Sequence, residues 1–361
     1  MVAIDLASML VENFDGMQVW TPGIGASYNE ATNRQLATSV VPYLRILSDS
    51  PLARFQSMLK TWIALQRAKP AVVHAHSPYA YRSLCHYQKI VPFRSIVHIQ
   101  IETDPETLRW CFKIPPDLVI ACAEFLVPSI DKALRMVGAR KTKIVVCQNS
   151  VETTRFIPGD RSIARNKLAM KHDALVLLML ANLSPHKGQA TIIQAVRHLR
   201  DQGHPAAVYM AGVEREGTGY KEELEILART LQVRESVHFL GFRRDTELLL
   251  QAADFFVLPS EHEGLPLSIL EAQAVKIPVL AAPTAGIPEV IEHGVTGYII
   301  PAKDSSGYAN MIAELTKSPS QITRVVDHAY RRVVSEHSRS NYSRRIAEIY
   351  CDVLGNASHT R

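Results

Sequence analysis

Two glutamates with seven residues between them, Glu263 and Glu271, sit in the stretch Ser260-Glu261-His262-Glu263-Gly264-Leu265-Pro266-Leu267-Ser268-Ile269-Leu270-Glu271-Ala272. The apolar run before it, Phe255-Phe256-Val257-Leu258-Pro259, reads as a buried strand. Gly264 permits a tight turn, and Pro266 suits the first turn of a helix, where its missing N–H costs nothing. The amides near Gly264 and Leu265 then lie at a helix N-terminus, which favours a phosphate. Glu263 stands at the mouth of the turn, and Glu271 lies one turn beyond Leu267 on the same face. A buried carboxylate beside an anion site is costly unless it accepts a hydrogen bond, and a sugar or ribose hydroxyl meets that need. The competing reading is an ordinary strand–helix unit in which Glu263 is solvated and caps.

The other candidates follow from the elements around them. Lys187 lies in Leu183-Ser184-Pro185-His186-Lys187-Gly188, between an apolar strand over 174–182 and a helix starting at Gln189. There it is either a point charge for a diphosphate or a solvated surface lysine. His76 ends the strand-like run 71–77, and ligands gather at the carboxyl ends of parallel strands. A structural hydrogen bond would explain it equally well. In 95–105 another strand runs into a loop, with His98 and Gln100 alternating onto one face. A strand over 206–212 ends in Gly212, and one over 237–242 ends in Phe242.

Glu263 and Glu271, within Glu-Gly-Leu-Pro and Leu-Glu-Ala, resemble the Glu-x7-Glu motif of retaining glycosyltransferases of family 4. Pro278-Val279-Leu280-Ala281, Gly286-Ile287-Pro288-Glu289-Val290-Ile291 and Gly294-Val295-Thr296-Gly297 continue that pattern, and Gln148-Asn149-Ser150-Val151 through Pro158 resembles the family's interdomain link. The resemblance implies an α/β fold of two doubly wound Rossmann-like domains facing across a cleft (GT-B type). It implies retaining transfer of a hexose from a nucleotide diphosphate sugar to a hydroxyl of a glycan or lipid-linked acceptor, in the setting of surface polysaccharide synthesis. It places Lys187, Gly212 and the Gly264 and Leu265 amides on the donor, with Glu271 on the ribose, Glu263 on the transferred sugar and Phe242 beside the base. Asn182 occupies a slot where the family commonly has arginine, which removes one cation. The family usually has a histidine near the end of the strand in 95–105, where it contacts the transferred sugar or acceptor; His98 lies inside that strand and Gln100 or Glu102 nearer its end, so the register is open, with His98 as the catalytic candidate and His76 and Gln100 on the acceptor side. No paired-aspartate DxD is present, which agrees with a metal-free site and no cofactor.

The resemblance also implies a first strand and a glycine-rich loop ahead of the helix at 2–11 and the strand at 17–21. Their absence before Met1 predicts a domain whose first strand is missing. A start set too late or a shortened chain, a short first strand made by 19–25, and a degenerate relative would each account for it. The alternative function is therefore a non-catalytic nucleotide-sugar-binding relative.

The 361 residues are 47% hydrophobic and 21% charged, an ordinary globular profile with room for two domains. A net charge of +5 does not argue for nucleic acid. Five dispersed cysteines form no CxxC pair and read as reduced thiols in a cytoplasmic protein. No signal peptide or membrane-spanning run stands out. The span 51–100 holds Arg54, Lys60, Arg67, Lys69, Arg82, Lys89 and Arg94 without an acidic residue. Two readings stand, idle helix charges or a peripheral contact with an anionic membrane face. The expected domains are 1–152, an acceptor-binding domain completed by a crossover helix over 338–355, and 153–337, which binds the nucleotide sugar. Two helices are expected after Pro301, and the tail beyond Gly355 reads as disordered.

Overall fold

The computed structural model describes residues 2–11, 14, 16–42, 50–170 and 173–355. The chain divides into two compact units, Met1–Gln148 with Arg339–Arg361, and Asn149–Ser338. The expected tail lies outside the described residues.

The first unit carries strands β1 (Val19–Thr21), β2 (Thr38–Val40), β3 (Val72–Ala75), β4 (Arg94–Ile99), β5 (Leu118–Ala121) and β6 (Lys143–Val146). β3 to β6 form a parallel sheet in sequential order, and β1 pairs in parallel with β2 in a separate small sheet. β5 is buried along its whole length, as a strand covered on both faces must be. Helix Val2–Leu10 contributes Leu6 and Leu10 to a core shared with Ile96, Leu118 and Ile120. The terminal helix Arg339–Leu354 closes that core with Tyr342, Ile346, Ile349 and Tyr350.

Helix Pro51–Ala68 is amphipathic in an unexpected sense. Ser50 caps it, accepting from the Ala53 amide. It buries Ser57, Thr61 and Leu65 and leaves Leu52, Phe55, Met58, Leu59 and Trp62 exposed. A helix facing only its own core shows the reverse distribution.

The second unit is one doubly wound parallel sheet. Its strands are β7 (Leu175–Leu180), β8 (Ala206–Ala211), β9 (Val237–Gly241), β10 (Phe255–Leu258), β11 (Val279–Ala281) and β12 (Tyr298–Ile299). The spatial order is β12-β11-β10-β7-β8-β9. The chain winds outward from β7 to β9, then crosses back to lay β10 on the other flank of β7. The carboxyl ends of β7 and β10 therefore flank the point where winding reverses, and ligands of such sheets settle there.

Two local expectations need correction, and one strand went unread. Pro266 is the extended N-cap of helix Leu267–Ala274, with ψ 121°, and not part of its first turn. Three helices follow Pro301, not two: Ser305–Thr316, Pro319–Glu336 and Arg339–Leu354. Pro319 forces the additional break, because a residue preceding proline avoids the helical region, and Ser318 sits at φ −130°, ψ 65°. Strand β2, in a polar and partly exposed Thr-Ser-Val segment, carries no apolar run to announce it.

Candidate functional site

The loops after β7 and β10 abut. After β7, a short turn over Pro185–Lys187 leads to Gly188, which opens helix Gln189–Asp201 at φ 75°. A Cβ on Gly188 would lie 2.4 Å from the Pro259 carbonyl oxygen, so only glycine lets the loops approach this closely. The Glu261 amide donates to the His186 carbonyl at 2.8 Å, tying one loop to the other. Across this seam Lys187 Nζ lies 2.7 Å from Glu263 Oε1, and the two side chains are 19% and 10% exposed. Lys187 also reaches the His262 carbonyl at 3.5 Å. The two residues assigned separate tasks from sequence are thus an ion pair at the switch point.

The turn beyond Glu263 is fastened by its carbonyls. Leu265 O accepts from Asn149 Nδ2 at 2.9 Å, and Gly264 O accepts from the Gly286 amide at 3.0 Å. Asn149 is 5% exposed, and its own carbonyl faces His337 Nδ1 at 3.1 Å. It is a positioning residue that the sequence placed only in a linker. Glu271 is half-buried on helix Leu267–Ala274. Two positions on, Gln273 donates to the Val290 and Thr296 carbonyls, both at 3.1 Å, and so holds the 290–296 loop against the helix.

Asn182 is exposed, and its carbonyl accepts from Gln189 Nε2 at 2.9 Å. With Lys187, Glu214, Arg215, Thr218 and Tyr220 it lines a cavity of about 410 Å³. Arg215 brings to this cavity a cation that sequence reasoning passed over. Gly212, at φ 155°, would place a Cβ 2.0 Å from the Ala181 carbonyl oxygen, so close packing beneath β7 already requires it. Phe242 follows β9 and is 70% exposed, and Arg243 beside it is paired with Asp245. β7 and β8 separate that strand from β10. The structure therefore brings Asn182, Lys187, Glu263, Gly264, Leu265 and Glu271 to one end of the sheet and leaves Phe242 at its flank.

In the first unit, His98 groups with His74 and His76. Ring centroids are 4.3 Å apart for His74–His76, 5.6 Å for His74–His98 and 5.4 Å for His76–His98. His98 is wholly buried, and the Tyr350 hydroxyl lies 2.7 Å from His74 Nδ1. The alternation expected to put His98 and Gln100 on one face does not apply, because β4 ends at Ile99. Gln100 lies beyond the strand, its carbonyl accepting from Cys122 Sγ at 3.4 Å. His74 could have been flagged as a histidine inside an apolar run, two positions before His76 at the end of β3.

Burial holds all three rings below the usual imidazole range, His76 at about 4, and proximity to each other adds to this for His74 and His98. The sign follows directly. The unfolded chain binds these protons near pH 6.5 and the native one does not, so stability falls as pH drops from about 6.5 toward 4. Each ring contributes up to about 1.4 kcal/mol per pH unit there. Thermal melts should lose several degrees between pH 7 and pH 5, and less in a His98→Gln variant.

Residues 160–332 match the family model described as glycosyl transferases group 1. That match spans a little under half of the chain. A D-inositol 3-phosphate glycosyltransferase from Actinosynnema mirum is 33% identical over 217 residues, covering 57% of this chain and 52% of that protein. A putative colanic acid biosynthesis glycosyltransferase from Salmonella typhimurium is 28% identical over 225 residues, covering 60% of this chain and 53% of its own. The chain thus matches about half the length of these curated relatives. The crystal structure of the Anabaena protein Alr3699/HepE with UDP-glucose shares the fold, at TM-score 0.83 and 22% identity over 97% of this chain and 95% of that one. The architecture is the α/β, parallel-sheet arrangement of GT-B glycosyltransferases. The matched stretch includes both switch-point loops and nearly all of the second unit, so Lys187, Glu263 and Glu271 all lie within it.

Proposed function

We propose that the protein is a retaining, metal-independent glycosyltransferase of family 4, which moves a hexose from a nucleotide diphosphate sugar to a hydroxyl of a glycan or lipid-linked acceptor. One observation carries this reading: the Lys187–Glu263 pair at the reversal of the sheet, beside helix Leu267–Ala274. A diphosphate entering there meets an ammonium and a helix N-terminus, which together neutralise developing charge without a divalent ion. As Lys187 turns toward phosphate, Glu263 is released to accept hydrogen bonds from the transferred sugar. Glu271, farther along the same helix, takes the ribose hydroxyls, and Asn182 with Arg215 borders the cavity alongside. The first unit handles the acceptor in this reading, through His76, His98 and Gln100. Relatives named for colanic acid synthesis support surface polysaccharide assembly as the setting.

The test is donor binding and turnover by the full chain with UDP- and GDP-hexoses. Glu271→Ala should weaken nucleotide-sugar affinity by about tenfold, the lower end of what one hydrogen bond to a charged group is worth, with little change in melting temperature. Binding of every donor at wild-type strength in that variant would remove Glu271 from the site.

The apolar stripe Leu52, Phe55, Met58, Leu59 and Trp62, on a helix that also carries Arg54, Lys60 and Arg67, supports a peripheral contact with an anionic lipid surface. Among the described residues no helix is long and apolar enough to cross a membrane. Co-sedimentation with phosphatidylglycerol vesicles should be strong for the natural chain and at least tenfold weaker for Phe55→Ser/Trp62→Ser.

A further inference from the structure

The histidine cluster of the first unit poses its own physical question. His74 Nε2, His76 Nδ1 and both ring nitrogens of His98 are buried without a hydrogen-bond partner. Buried polar atoms normally have one, and an orphan implies an ion, a water or a function. Here the orphans converge, since one nitrogen from each ring can be chosen so that all three lie within 4.8 Å of one another. We propose that His74, His76 and His98 form a binding site for a single divalent transition-metal ion of the zinc class.

Imidazole nitrogens in a set of three select Zn(II), Co(II), Ni(II) or Cu(II) over the hard cations, and they leave a fourth position open to water. A tetrahedral zinc site with bonds of about 2.0–2.1 Å spaces its nitrogens about 3.4 Å apart. The rings therefore close by roughly 1 Å through side-chain rotation when the ion enters. Tyr350 Oη lies 2.7 Å from His74 Nδ1; in the tautomer in which Nδ1–H donates to that hydroxyl, Nε2 keeps its lone pair for a metal and Tyr350 serves as the outer-shell partner of a metal-bound histidine. Access is built in: His74, His76 and Tyr350 line a cavity of about 520 Å³ that also touches β1 and the segment before β3. A bound ion takes the place of the direct contact of His76 and His98 with the acceptor in the reading above; the inference does not rest on the donor reading, so nucleotide binding by the second unit neither supports nor weakens it.

The experiment uses the full-length chain, stripped with a chelator and titrated with Zn(II) and Co(II) chloride. Calorimetry and elemental analysis after dialysis should find one equivalent bound per chain, and Co(II) should show tetrahedral absorption bands. His76→Ala and His98→Gln should each lower affinity at least tenfold, and Tyr350→Phe about tenfold. Cys351→Ser, which changes the least buried thiol, should leave both stoichiometry and bands unchanged. Circular dichroism and melting curves confirm that each variant is folded, and where His98→Gln is not, His76→Ala carries the test. Stoichiometric binding lost in the histidine variants establishes the site. No bound equivalent in the natural chain, or binding that survives His76→Ala and is lost in Cys351→Ser, overturns it.

Discussion

Lys187→Ala should lower nucleotide-sugar affinity by about a hundred- to a thousandfold. The substitution acts twice. It removes the ammonium that would face the diphosphate, and a hydrogen bond to a charged group is worth about 1.5–3 kcal/mol. It also strands Glu263, whose side chain is only 10% exposed and whose partner at 2.7 Å disappears. An unpaired carboxylate then faces an incoming dianion, and the two losses together come to about 3–4 kcal/mol. The double variant Lys187→Ala/Glu263→Gln separates the two contributions. Removing the stranded charge should restore roughly tenfold in affinity while turnover stays low, because Glu263 is needed on the sugar. Affinity equal to that of the natural chain in Lys187→Ala would show that the diphosphate lies elsewhere. The order of the two single variants carries information as well. Glu263→Gln should bind donor nearly as well as the natural chain, since Lys187 is then freed for phosphate.

Gly188→Ala is expected to destabilise the second unit strongly. The new carbon would meet the Pro259 carbonyl oxygen at 2.4 Å, on a residue at φ 75°. The left-handed conformation costs an L-residue about 1–2 kcal/mol, and overpacking against fixed backbone adds about 1–3 kcal/mol. Melting should fall by roughly 10 °C, taking about 2–4 °C per kcal/mol for a unit of this size. Gly203→Ala is the matched control. It has φ 79° but no atom within 4 Å of the new carbon, so it feels the backbone strain alone and should lose no more than about half as much. Equal losses in the two variants would mean that the seam between the β7 and β10 loops can open freely.

The second unit was the more legible half of the sequence, for a physical reason. Strands such as 175–180 and 255–258 are buried on both faces, and burial of that kind writes an unbroken apolar run. The loops and the helix that follow hold Lys187, Glu263 and Glu271, so these candidates could be named from the sequence. Their pairing could not, because 76 positions separate Lys187 from Glu263 and no local pattern encodes that contact. Asn149 was hidden for the same reason: its partner is Leu265, 116 positions away. The first unit was read less well. β2 has no apolar signature, and His74 was passed over inside a run taken only as strand. The outward stripe of helix Pro51–Ala68 inverts the rule by which an amphipathic pattern is assigned to a core. The break at Pro319 was a missed turn signal that the sequence did contain.

The return of the chain to its starting unit has a consequence for biosynthesis. Asn149–Ser338 is contiguous and holds all it needs once its last residue has left the ribosome. The first unit does not, because Leu6, Leu10 and Ile96 share their core with Tyr342, Ile346 and Tyr350. Until residues 339–354 emerge, that core lacks one wall and its apolar side chains stay wet. Synthesis from the N-terminus would ordinarily let the leading domain mature first. Here the order is reversed: the unit begun first completes its core only when its own helix Arg339–Leu354 has been made.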